Sequence, residues 1–257
     1  MVTGSATYKP MNVVRKWKRI LAVGCSHSHL IDKQAKANVL KFSEQFKPEI
    51  RIHLGDWADT TCFRNGARGT PDESEPIEPD IEDGIGFVFD EFRATLAFSG
   101  NHEQRLWHCA GDKDARVSWA AGKLIGMITD KAKETKCEFV PYTGIWQERR
   151  IGNFTFTHGS GRGGINALQK HTLAYGNICM AHLHTAEQIT VQARSRATGI
   201  CVGTLMAGHD PAEYARQNFN TFRWSYGFAY GETDGQTTQL WLHRHDPEST
   251  VWRLPPV

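Results

Sequence analysis

Short polar groups recur in this chain, each directly after an apolar run. Cys25-Ser26-His27 follows RILAVG, Asp56-Trp57-Ala58-Asp59 follows RIHLG, and Asn101-His102-Glu103 follows LAFSG. His158-Gly159 follows FTFT, and His182-Leu183-His184 follows ICMA. Imidazole nitrogen, carboxylate and amide oxygen and thiolate sulfur are the donors a divalent cation takes, and a reactive cation needs several of them plus open positions. The inventory suits a pair of cations. Two ions about 3.5–4 Å apart can bind a phosphoryl group, activate water and steady an in-line displacement. Asp56 is the carboxylate placed to lie between them. His182 and His184 share a face on a regular strand, but where the strand turns into a loop they can address both ions.

The elements that must position these groups follow from the apolar pattern. Strand-like runs at 19–24 and 49–56 flank a helical stretch at 33–46, an opening βαβ unit, and a third strand closes at Gly100. Residues 86–92 read as helix, and 113–133 as a long helix. After Cys137 the texture turns to short alternating strands, CEFVPY, IWQERR, NFTFTHG, NICMAHLH, EQITVQAR, GICVGTL, YGFAYGE and QLWLHRH, with one helix at 165–172. An α/β first half and a mostly β second half predict two sheets packed together with helices outside. Ligands bind at the carboxyl ends of strands in such sheets, so five polar groups at five strand ends point into one place. Residues 64–83, dense in Pro, Gly and acid, read as an exposed loop or lid, within about 60–84, with nothing to pack.

At 257 residues and 40% hydrophobic content the chain is expected to form a single domain over 1–257. A formal charge of +2 puts any nucleic-acid contact on a local basic surface. No apolar run reaches bilayer length, and LAV is too short for a secretory leader, so no membrane partner and a cytoplasmic location are expected. Six scattered cysteines without a CxxC pair fit a reducing compartment and read mostly as small buried hydrophobes.

GDWAD, GNHE, the lone THG histidine and AHLH resemble, in order, the GDxxD, GNHE, GH and GHxH motifs of the calcineurin-like metallophosphoesterases. The resemblance runs from about residue 20 to 185. It implies a metallophosphoesterase-like fold of the α/β (α+β) class, a four-layer double β-sandwich flanked by helices, and a metal-dependent phosphoric ester hydrolase. Carried over by motif position, one ion would take Cys25, His27, Asp56 and His184, and the other Asp56, Asn101, His158 and His182. His102 would contact the phosphate and protonate the leaving oxygen, and Asp59 would orient His102. A phosphodiester within a nucleotide or nucleic acid is the preferred substrate. A phosphomonoester is the alternative, and from another class a non-catalytic scaffold like the retromer subunit of this superfamily.

The first motif is usually DxH and here reads Cys25-Ser26-His27. A thiolate ligand keeps the charge of the carboxylate it replaces and favours softer ions. A degenerate site would show decay elsewhere, and a nucleophilic thiol is not needed beside activated water, so the ligand reading is preferred. The exchange resembles that of the RNA lariat debranching enzymes, which are associated with iron and zinc; Fe, Zn or Mn are the expected ions. The segment FRWSYGF is similar to a W-x-x-G-F stretch of phage-encoded metallophosphoesterases, and equally to a β-strand with an aromatic core face. Ala181, in place of the motif's glycine, is a minor departure.

Arg105 and Arg162 are candidate phosphate contacts, although solvated loop arginines fit each as well. Gly159, Gly161, Gly163 and Gly164 allow close backbone approach or simply form turns. His29 is given no role, His53 reads as a satisfied core or edge residue, and His108, His171, His209, His243 and His245 lack motif support. Trp57 and Trp107 read as core rather than as base-stacking platforms.

Overall fold

In a computed structural model the described residues are 16–141, 143, 147–161, 164, 166–192, 196–206, 223–245, 249 and 251–257. The chain opens with β1 (Lys18–Val23), α1 (Lys33–Phe46) and β2 (Ile50–His53). Helix α1 starts where the Asp32 side chain accepts the Ala35 N–H at 2.7 Å, and it ends at Lys47 in the left-handed region. Its buried stripe, Ala35, Val39 and Phe42, has helical spacing and faces the sheet. Then come α2 (Ile77–Ile85), β3 (Leu96–Phe98), α3 (Gln104–Ala110), α4 (Ala115–Glu134) and β4 (Glu138–Val140). The second half holds β5 (Glu148–Ile151), β6 (Phe154–Thr157), α5 (Ala167–Tyr175), β7 (Ile178–Met180), β8 (Ala186–Gln192) and β9 (Arg196–Val202). It closes with β10 (Tyr226–Thr233) and β11 (Thr238–His245).

These strands make a six-stranded sheet in the order β11-β10-β1-β2-β3-β4 and a five-stranded sheet in the order β5-β6-β7-β9-β8. Both are mixed: β1 to β4 run parallel, as do β6, β7 and β9, while β10, β11, β5 and β8 pair antiparallel. The inner faces meet in one core, where Ile20, Ile52, Leu54 and Phe98 of the first sheet's side pack with Phe156, Cys179, Ile200 and Val202 of the second. The outer face of the first sheet, with Leu21, Val23 and Phe228, carries α1, α2, α3 and α4 through Phe42, Ile81, Leu106, Leu124 and Ile128. Helix α5 covers the second sheet through Leu168 against Ile178, Met180 and Cys201. Two mixed sheets between helical layers are what the sequence predicts. Each fully buried large side chain here stabilises by about 1.5–3 kcal/mol.

One feature differs from the sequence reading. The segment 64–83 is not an unpacked excursion along its whole length, because α2 begins inside it. Ile77 and Ile81, one turn apart, pack on the core, and Asp80 is buried. The density of proline and acid hides that apolar pair. The helix-like 86–92 stretch continues α2 as a π-helical turn, Gly86–Glu91, which buries Phe87, Val88 and Phe89. No helix among the described residues is long and apolar enough to cross a membrane. All six cysteines are free thiols; Cys25, Cys137, Cys179 and Cys201 are buried.

Candidate metal centre

Because β1, β2 and β3 run parallel, as do β6 and β7, their carboxyl ends share one edge of the double sheet. The turns leaving those ends are tightly wound. Cys25, His27, Ser28, Asp56, Thr60, His182 and His184 have φ between 49° and 68°. Left-handed backbone costs about 1–2 kcal/mol at a non-glycine residue, so hydrogen bonds must hold it. Cys25, His27 and Ser28 donate their N–H groups to the carbonyls of Gly55, Asp56 and Trp57 at 2.9, 3.0 and 2.8 Å. The first two turns are thereby laced together. Gly100 is obligatory: a Cβ there would collide with the Asp56 carboxylate and lie 2.5 Å from its backbone nitrogen. Ala181 fits because Gly24 faces it; a Cβ on Gly24 would lie 2.5 Å from that of Ala181.

Two facing donor groups result, beside a third made of His27, Asp59 and His102. Atoms of Cys25, His27, Asp56 and His184 lie within 4.8 Å of one another, as do those of Asp56, His158 and His182. Asn101 Oδ1 joins the second group, 3.0 Å from His158 Nε2 and 2.7 Å from His182 Nδ1. In three of the four rings the other nitrogen fixes the tautomer. His27 Nδ1–H donates to Asp59 Oδ1 at 2.9 Å, His158 Nδ1–H to the Leu54 carbonyl at 2.8 Å, and His182 Nε2–H to the Gly161 carbonyl at 2.6 Å. The inward nitrogens therefore present lone pairs. His158 Nε2 and His182 Nδ1 face each other at 3.2 Å, with Asp56 Oδ2 also 3.2 Å from His158 Nε2. Acceptors that face one another in a buried place need a cation or a shared proton between them. His27 Nε2 and His184 Nε2 meet at 3.1 Å in the other group. The donors present thus suit divalent ions.

Burial would lower the His158 pKa, but Asp56 beside it raises it, so a proton and a cation compete for its inward nitrogen. Burial alone would raise the Asp56 pKa, but His158 and His102 outweigh it and hold the carboxyl well below its usual range. Burial, then the charge of His158, lowers His182 to about 4, and burial with His27 beside it lowers His184. Burial, then Asp56, raises the Cys25 thiol well above its usual value. A divalent cation reverses that preference, since a coordinating thiol is deprotonated outright.

His102 stands beside the first group, its ring centroid 4.6 Å from that of His27. Its Nδ1 lies 3.0 Å from Asp59 Oδ1 and 2.8 Å from the Asp59 carbonyl. Asp59 thus holds two rings with one carboxylate. Burial opposes its ionisation, but the hydrogen bonds from His102 and His27 keep it well below the ordinary carboxylate range. Arg105 Nη1 donates to the backbone carbonyls of Asp59 and Thr60 at 2.7 and 3.3 Å. That nitrogen braces the Asp59 turn and is unavailable to a phosphate. Arg162, Gly163 and His209 lie outside the described residues.

Two residues that hold the site were given no role by sequence. Glu103, fully buried, accepts four backbone N–H groups: Trp57 and Ala58 on Oε1 at 2.8 Å each, and Asp56 and Gly100 on Oε2 at 3.0 and 2.6 Å. Burial and the Asp56 charge push its pKa up to about 7, against four donors that favour the anion. Asp80 of α2 accepts the N–H groups of Asp59 and Thr60 at 3.1 and 2.7 Å. The only local signal was the glutamate in GNHE; the partners are distant in sequence. His53 is a satisfied core residue, Nδ1 accepting the Gly55 N–H at 3.3 Å and Nε2–H donating to Ser26 Oγ at 3.1 Å. Trp57 is fully buried, and Trp107 packs near Phe139.

No family model and no curated protein matches this chain. Among solved structures it is similar to Vacuolar Protein Sorting 29 from Cryptosporidium parvum, at 10% identity over 90% of this chain and 98% of that one, TM-score 0.42. It is similar too to a predicted phosphoesterase from Streptococcus pneumoniae, at 13% identity over 90% and 92%, TM-score 0.36. A third is the phosphoesterase YfcE from E. coli, at 16% identity over 83% and 91%, TM-score 0.35. Likeness at this level says nothing of what the chain does.

Proposed function

We propose that the chain is a phosphoric ester hydrolase working with two divalent cations, and that its substrate is a phosphodiester within a nucleotide or nucleic acid. The observation that supports this most is the buried Asp59–His102 pair set directly against two groups of inward-facing acceptors. The first position would be held by Cys25, His27, Asp56 and His184, and the second by Asp56, Asn101, His158 and His182. Bound there, the cations would supply Lewis acidity, activating water and offsetting phosphoryl charge.

The chain's own part is positioning and proton transfer. Asp56 reaches both groups, with Oδ1 fixed by the His102 N–H at 2.9 Å and Oδ2 turned to His158. Asp59 holds the His102 ring with Nδ1 against the carboxylate, so Nε2 is the nitrogen that would hand a proton to the leaving oxygen. His102 and Asp59 are 6% and 0% exposed, which pre-organises the pair in a low-dielectric wall. A protein that only scaffolds a complex has no use for such a proton donor.

The test is hydrolysis of bis(p-nitrophenyl) phosphate by the purified chain with Mn²⁺, Fe²⁺ or Zn²⁺, alongside p-nitrophenyl phosphate. Turnover of the diester above the monoester is expected. Folded protein that binds cations and turns over neither substrate would leave the scaffold reading, and faster monoester hydrolysis would overturn the substrate assignment.

A further inference from the structure

One ring of the centre is held differently from the others. His27, His158 and His182 each have their outer nitrogen tied to an oxygen, but His184 Nδ1 is buried with no hydrogen-bond partner among the described residues. What meets that ring is the Trp224 indole, with ring centroids 4.4 Å apart and planes tilted by 58°. The contact is built into the backbone on both sides. The Ser225 N–H donates to the His184 carbonyl at 2.9 Å, and Ser225 Oγ accepts the Ala186 N–H at 2.8 Å. Arg223 reaches Glu187 at 3.4 Å. Residues 223–225 are therefore registered against 184–187, which sets the Trp224 backbone beside the His184 ring.

An imidazole ligand without an outer hydrogen bond can turn about its side-chain torsions, and a ligand that turns loses affinity. We propose that Trp224 is a positioning residue: its ring packing orients His184, whose Nδ1 has no hydrogen-bond partner among the described residues, and so sets the affinity of the cation position that includes Cys25. This rests on the two-cation reading. It assigns the W-x-x-G-F tryptophan a role at the site that neither a core strand nor a sequence resemblance supplies.

Cobalt titration of the full chain separates the two positions. Cys25 belongs to one of them alone, so the near-ultraviolet thiolate-to-cobalt band reports that position while total bound cobalt reports both. Trp224→Ala should weaken the thiolate-linked cobalt by about 10–100-fold, the range found when groups orienting a ligand are removed, and leave the second cobalt unchanged. Trp224→Phe, which keeps a planar face, should restore the wild-type titration. Trp224→Leu carries the comparison should the alanine variant melt below wild type in chelator; it should behave as alanine does. Unaltered thiolate-linked affinity in the alanine and leucine variants would overturn the proposal. Equal weakening at both positions would do so too, since it marks general loosening. A wild-type chain that takes up no cobalt would instead overturn the two-cation reading beneath it.

Discussion

Glu103 offers the most quantitative test of how the site is built. Its two carboxylate oxygens take four buried N–H groups from the turns after β2 and β3, at 2.6–3.0 Å. In Glu103→Gln the amide oxygen can keep one pair of donors, but the NH₂ group must face the other pair. Two buried N–H groups then lose their acceptor, at about 1–3 kcal/mol each, or about 2–6 kcal/mol together. Against a typical total of about 5–15 kcal/mol, that is a large fraction of the fold's stability. Urea unfolding in chelator, which removes any contribution from bound ions, should show a lower midpoint with an unchanged slope. The Asp56 and Gly100 N–H groups sit beside Asp56 and Asn101, so cation affinity should fall as well. A Glu103→Gln chain within about 0.5 kcal/mol of wild type, the size of an ordinary surface substitution, would refute the reasoning.

Other outcomes follow from particular contacts. His102→Ala should retain bound cations and lose about 10²–10⁴ in turnover, because it removes the proton donor while the inward acceptors stay; unchanged turnover would take His102 out of the mechanism. Cys25→Asp should shift ion preference from zinc or iron towards manganese or magnesium, and an identical metal profile would mean that Cys25 does not ligate. Asp114→Ala removes the side chain that accepts the Arg116 N–H at the start of α4 and should lower the midpoint of thermal or urea unfolding, which an unchanged midpoint would contradict. His243, packed on Phe228, has its pKa lowered by burial and then by His245. A histidine with a depressed folded pKa adds stability above its unfolded pKa near 6.5 that is lost as pH falls. His243→Leu should therefore lose less stability than wild type between about pH 8 and pH 5, and parallel pH profiles would contradict this.

Much of this arrangement is legible in sequence because it is local. The 33–46 helix shows as an apolar stripe behind a capping aspartate, and each polar group of the site directly follows the apolar strand that carries it. What pairs with what is not local. The β10–β11 hairpin lies beside β1, more than 200 residues away, because that is where its apolar face finds cover, and no periodicity encodes the partner. Asp80 acts on a turn 20 residues before it and Glu103 on one about 45 before it. Asp80 therefore looks in sequence like one more surface acid, and Glu103 like the end of a local motif without a stated role. Trp224 reads as part of a β-strand with an aromatic core face until the fold brings His184 to it.

We propose that side chains from five strand ends hold a pair of cations, one of them through sulfur. The most direct test is metal analysis of the chain purified without oxygen, with Cys25→Ala and Asn101→Ala measured in parallel. Two divalent ions per wild-type chain are expected, with selective loss of a different one in each variant. A folded wild-type chain that carries none and takes up none on dialysis against iron, zinc or manganese would contradict it.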